Sequence, residues 1–243
     1  MNFSFTLIFG ILLFVAFTLL RKKMDVFFLI TFAIGAAINA NIFNSYIYPI
    51  TFTDNSYFVF GLNQFLYPLF VLTIMIRAFD YSLKDSKQML VSALVAITLS
   101  AFIQFFAEVA FYYPFKEKKF IEVLLTLLLY LVSTLATLIA FVIVFKIYPI
   151  LEKKKVNKYL ILVIALVITN IINPFIYTGF ALLFSSHSIL SSNMLDNYPA
   201  YIFGSLIIRT FAIGLSLLSY LVSNTIWKSE NLIQVQKDSK SSK

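Results

Sequence analysis

Apolar residues in this chain run in long blocks and do not alternate with polar ones. Seven stretches, near 3–20, 26–49, 57–76, 89–112, 123–147, 159–184 and 200–223, are almost free of charge. Crossing about 30 Å of hydrocarbon takes roughly 20 helical residues at ~1.5 Å each, so every block is long enough to span a bilayer. Period-two alternation, the mark of a membrane barrel strand, is missing, and only helices satisfy their own backbone polar groups in lipid. The pattern predicts an all-α integral membrane protein, a bundle of about seven transmembrane helices.

Composition agrees. Of 243 residues 60% are hydrophobic and 12% charged, too apolar for a soluble domain with a polar surface. With no cysteine, a disulfide scaffold, an iron–sulfur cluster and a thiolate zinc site are excluded. A net charge of +8 would point to nucleic acid in a soluble protein, but here the charges sit in the loops and no nucleic-acid partner is expected. The lipid bilayer is the expected environment.

Counting Lys and Arg on alternating sides of the seven spans gives 15 on one side, from Arg21-Lys22-Lys23 through Lys153-Lys154-Lys155 to Lys243. The other side holds Lys116, Lys118 and Lys119, and Arg209 lies within the last span. The positive-inside rule then places the N-terminus outside and the C-terminus in the cytoplasm. The first span is expected to be retained, because its basic cluster follows the apolar run, whereas a signal peptide has it before. Tyrosines such as Tyr46, Tyr112 and Tyr159, with Trp227, fall near span ends, where amphipathic rings settle. Residues 1–227 read as a single polytopic membrane domain and 228–243 as a short basic cytoplasmic tail.

Classical catalysis is hard to build from these residues. The one histidine, His187, sits in the loop Ser185-Ser186-His187-Ser188, no GxxxxGK[ST], HExxH or GxSxG motif occurs, and Glu108 has no second acid in its span. The expectation is a non-enzyme with neither cofactor nor metal.

Polar residues inside the spans carry what chemistry there is, because an ionisable group in hydrocarbon costs about 2.5–3.5 kcal/mol unless paired or wet. Ser100, Gln104 and Glu108 recur every fourth residue and stack on one helical face. Arg209 lies about nine residues into the last span and either snorkels or meets Glu108. Asn170, Asn173 and Pro174 interrupt the sixth span, and Asn63, Gln64 and Pro68 interrupt the third in the opposite sense of crossing, the kind of matched break that inverted-repeat transporters show. Asn39, Asn41 and Asn44 put three amides into the second span, with Asn41 and Asn44 able to share a face. The plainer reading is that such amides serve as glue between helices.

The order of these features resembles the VUT or queuosine-precursor transporter family of bacterial inner-membrane proteins, including its members with an additional first helix. The likeness rests on Arg21-Lys22-Lys23 after the first span, Ala40-Asn41-Ile42 in the second, and Gly61 to Thr73 with Asn63-Gln64 and Pro68 in the third. It continues through the lysine turn Lys84 to Lys87, the stretch Tyr130 to Lys158, Thr169-Asn170-Ile171-Ile172-Asn173 and the basic Arg209 in the last span. The family's intramembrane acids are replaced here by Ile74, Ala78 and Asn173.

The resemblance implies a plasma-membrane facilitator or secondary carrier for a small 7-deazaguanine-like base. Asn41, Asn63, Gln64, Asn170, Asn173, Arg209 and Glu108 would be the binding residues, with Phe65, Tyr67 and Tyr177 stacking on the ring. Losing the acids points to a neutral ligand. The alternative is a degenerate, non-transporting sensor, scaffold or accessory subunit of another complex, including a binding subunit of an ATPase-driven importer. A homo-oligomer or an unidentified membrane partner stays open. A central cavity lined by Asn41, Gln64, Asn173 and Arg209 would favour transport, and a filled core the scaffold.

Overall fold

The structure, a computed structural model, describes residues 3–21, 30–36, 38, 48–53, 56–60, 63–111, 120–184 and 206–225. Seven helical stretches are found among them: α1 (Phe3–Leu20), a piece over 30–36, α2 (Asn63–Asp80), α3 (Leu83–Phe111), α4 (Phe120–Lys153), α5 (Lys158–Phe184) and α6 (Leu206–Thr225). Four of them, α3 to α6, contain stretches long and apolar enough to cross a membrane. Large apolar side chains face outward along these helices. On α3 alone Val91, Val95, Leu99, Ile103 and Phe106 are more than half exposed. A soluble domain does not tolerate such a stripe, and this is a membrane protein.

The bundle is helical as expected, but its boundaries differ from the charge-free blocks. Residues Tyr48–Thr53 and Ser56–Phe60, which overlap the expected end of the second span at 49 and the expected start of the third at 57, pair as an antiparallel hairpin, with Tyr48 opposite Phe60 and a bulge between Thr51 and Thr53. Aromatic and β-branched residues such as Tyr48, Ile50, Thr51, Tyr57, Phe58 and Val59 supply the strand preference that hydropathy alone ignores. The third helix therefore starts at Asn63, not 57.

At other ends the helices overrun the apolar blocks, because a helix needs capping, not hydrophobicity, to continue into the polar zone. α3 starts at Leu83, six residues before the block at 89, since Ser82 caps it. The Ser82 hydroxyl accepts from the Asp85 amide at 3.1 Å and donates to the Asp85 carboxylate at 2.6 Å. α4 runs to Lys153 and ends in a Schellman turn, with the Val156 amide on the Leu151 carbonyl at 3.0 Å and the Lys155 amide on that of Glu152 at 2.9 Å. Lys155 takes the left-handed conformation, φ 55°, where glycine is usual. Asn157 then caps α5, its side-chain carbonyl accepting from the Tyr159 amide.

Helix α2 is the axis of the bundle. Every residue from Gln64 to Phe79 is buried, the polar Gln64, Thr73 and Arg77 along with the apolar ones. Phe65, Phe70, Met75 and Ile76 pack there with Phe17 of α1, Met89 of α3, Phe141 of α4 and Leu162 of α5. At Gly10, α1 approaches so closely that an added Cβ would stand 2.8 Å from the Phe65 ring.

One pole of the bundle gathers the basic helix ends. Arg21, at the end of α1, is 4% exposed. It donates to Asp80 of α2 at 3.2 Å and to the Ser223 hydroxyl of α6, and it lies over the Tyr220 ring. The Lys158 ammonium donates to the Phe79 carbonyl at 2.7 Å, placing a cation at the negative end of the α2 dipole. Tyr148 of α4 donates to the Ala78 carbonyl. The C-terminal ends of α4 and α6 and the N-terminal end of α5 meet at this pole, so these three consecutive helices alternate in direction.

Candidate functional site

The site is assembled around Tyr67, on the axial helix. Its ring lies under the Arg209 guanidinium of α6, 5.4 Å away, and its hydroxyl faces Thr137 of α4, Asn173 of α5 and Arg209. The Asn173 amide donates to the Thr137 hydroxyl at 3.0 Å and to the Ser133 carbonyl at 3.4 Å, tying α5 to α4. Four helices thus bring polar groups to one place inside the bundle. Tyr67, Thr137, Asn170, Asn173 and Arg209 are all at most 7% exposed.

Polar atoms there, among them the Tyr67 hydroxyl and the Asn170 side-chain oxygen, lack a hydrogen-bond partner in the protein. The Tyr67 hydroxyl comes near Thr137 and Asn173 without closing a hydrogen bond to either, and the Asn170 side-chain oxygen has none either, although its amide donates to Leu166 at 2.8 Å. Asn170 precedes Asn173 by three residues and so shares its helical face. A buried polar atom left unpaired costs about 1–3 kcal/mol, and the cost is removed by anything that brings the missing bond.

Both flanking helices are interrupted next to these groups. Pro68 has no N–H to return to the Gln64 carbonyl, and Pro174 none for that of Asn170. Each break therefore lies at a residue singled out in the sequence. Gln64 is 4% exposed, one turn from Tyr67 on α2.

Of the expected binding residues, the structure brings together Asn173, Asn170 and Arg209, with Gln64 on the adjoining turn. Glu108 sits elsewhere. Gln104 donates to it at 3.5 Å and to the Tyr130 hydroxyl at 3.2 Å, along the seam between α3 and α4. Asn63 opens α2, a position amides favour, but its side chain lies outside the described residues, as does all of Asn41. Phe65, expected to stack on a ligand, is instead wedged between Gly10 and the Phe211 ring.

Thr137 and Ser133 were not singled out in the sequence. Their signal was present, since Tyr130, Ser133, Thr134 and Thr137 recur at three- and four-residue spacing on one face of α4. That face carries the polar line from Glu108 and Gln104, through Tyr130, toward Asn173. No cluster of three or more His, Asp or Glu placed to hold a metal occurs among the described residues.

No family model, no curated protein and no solved structure matches this chain.

Proposed function

We propose that the protein is an uptake carrier of the bacterial plasma membrane for a small heterocyclic solute such as a 7-deazaguanine-like queuosine precursor, acting as facilitator or secondary carrier, with the N-terminus outside. The observation that supports it is the pair of unsatisfied buried atoms, the Tyr67 hydroxyl and the Asn170 oxygen, set beside Asn173 and Arg209 in the middle of four helices. Ring N–H and carbonyl groups of a neutral heterocycle match a hydroxyl that donates and accepts and an amide oxygen that accepts. The Tyr67 ring already carries a cation on its face. No bond to the substrate is made or broken in this reading, so the chain is a carrier and not an enzyme.

Burial of the cluster corresponds to a state closed to both sides. Entry then requires α5 and α6 to part from α2 and α4, and Pro68 and Pro174 put the weakest backbone of α2 and α5 where that movement is needed. The same burial favours a second reading, in which the polar cluster only fixes helix register in a non-transporting scaffold or accessory subunit.

Uptake of labelled 7-deazaguanine bases, with guanine as competitor, in cells lacking their own importer separates the two. Tyr67→Phe removes a hydroxyl that bonds nothing in the protein, so it leaves folding intact or slightly improves it. In a carrier it lowers saturable uptake about tenfold, the worth of one lost hydrogen bond to a buried polar partner. Unchanged uptake in Tyr67→Phe and Asn173→Ala would refute the site, and absence of uptake from a folded membrane-inserted chain would favour the scaffold.

A further inference from the structure

At the basic pole, where α2 hands over to α3, an open groove of about 810 Å³ is lined by Ile30, Arg77, Lys84, Asp85, Lys87 and Val91 among others. It is well separated in the fold from Tyr67, which lies near the other end of α2. Its three cations outnumber its single carboxylate. One oxygen of that carboxylate, on Asp85, takes the Ser82 hydroxyl, and the other forms an ion pair with Arg77 Nη2 at 3.8 Å, too long for a hydrogen bond.

Arg77 is the unusual member. It is 8% exposed and stacks over the Tyr81 ring at 3.8 Å, yet its Nε and Nη1 have no acceptor. Arginine is always charged and offers five donors in a planar fork suited to an oxyanion, and Arg77, which meets Asp85 through Nη2 alone, leaves hydrogen-bonding capacity unused at the groove wall. Lys84 and Lys87 are exposed and lie three residues apart at the start of α3, where the helix dipole adds positive potential. The opposite wall is apolar, with Val91 56% exposed in the lipid-facing stripe of α3.

A ligand matching this groove has an anionic head and a hydrocarbon body. We propose that the groove binds the phosphate of an anionic amphiphile at the membrane surface, its oxygens taken by Arg77, Lys84 and Lys87 and its chains lying along Ile30 and Val91. Arg77 rotates slightly to present Nε and Nη1 to the phosphate. The site does not depend on whether the bundle transports anything.

The test uses the full chain in neutral detergent micelles doped with equal amounts of phosphatidylglycerol and phosphatidylcholine, with retained lipid counted by native mass spectrometry. The wild type retains phosphatidylglycerol in preference. Lys84→Gln with Lys87→Gln lowers that retention by a factor of about five for each lysine, the worth of one basic residue near an anionic membrane surface. The control pair Lys153→Gln with Lys154→Gln, exposed at the same pole, leaves it unchanged. A second arm adds millimolar inorganic phosphate to the lipid-free chain and follows its melting. A rise lost in Lys84→Gln with Lys87→Gln, without lipid preference, supports the same phosphate site with free phosphate as its source. Equal retention of the two lipids with no effect of phosphate overturns the proposal, and so does a control pair that loses as much as the groove pair.

Discussion

Removing the Asp80 carboxylate would leave the Arg21 guanidinium buried with only a hydroxyl and a ring for company. The two charges are 3.2 Å apart, with Arg21 4% and Asp80 31% exposed on the side chain. Coulomb attraction at that separation is about 5 kcal/mol at an effective dielectric of ~20 and about 1 kcal/mol in water. Because Asp80 still meets solvent, screening pulls the value toward the lower figure, and Asp80→Ala should cost about 2 kcal/mol. Arg21→Met keeps most of the packing volume and leaves a carboxylate that can turn to water, so it should cost about 1 kcal/mol. In the double variant no charge is stranded, and the loss should fall short of the sum by more than about 1 kcal/mol. Unfolding of the purified full chain in a mild detergent, followed for wild type, both single variants and the double, measures each term. If the double loses as much as the two singles together, Arg21 and Asp80 are not coupled and the clamp between α1, α2 and α6 has been misread.

Other expectations concern single groups. Lys155→Gly relieves the left-handed strain of the α4–α5 turn and should raise stability by about 1 kcal/mol in the same unfolding assay; a loss would show that the Lys155 side chain matters more than its backbone. Ser82→Ala removes the cap of α3 and should cost about 1 kcal/mol, with Ser82→Asn recovering most of it. Asn173→Leu breaks the bonds to Thr137 and Ser133 and leaves the Thr137 hydroxyl still bonded to the Ser133 carbonyl, so the cost in stability should be modest, about 1–2 kcal/mol. A much larger loss would mean that the polar cluster chiefly holds the bundle together.

The sequence disclosed the bundle because hydrocarbon is an exacting solvent: blocks of 18 to 26 apolar residues have few other uses. It also disclosed which pole is basic, and the joining of Arg21, Asp80 and Lys158 at one end of the fold agrees with that count. Hydropathy did not disclose where helices stop, since α3 and α4 continue into polar sequence through Ser82 and Lys153, and since a hairpin over Tyr48–Thr53 and Ser56–Phe60 takes the last residues of one expected span and the first of the next. For the site, amides beside prolines were legible one residue at a time, and Asn170, Asn173 and Gln64 were found that way. What no single helix reveals is which faces meet. Thr137 became part of the site only because α4 lies against α5, and Glu108 meets Gln104, which also donates to Tyr130, along the seam between α3 and α4.

The contact between Gly10 and Phe65 ties two distant positions of the chain to each other. No methyl group fits between the α1 backbone and the aromatic ring, and Phe65 has Phe211 on another side, so the ring has little room to retreat. In chains descended from the same ancestor these two positions should therefore change together: glycine where an aromatic stands opposite, and alanine or serine only where the opposing residue has shrunk. A pairing of that kind, found in a diverged sequence, would identify the first helix by its notch even where every other residue of that helix had been exchanged for a different apolar one.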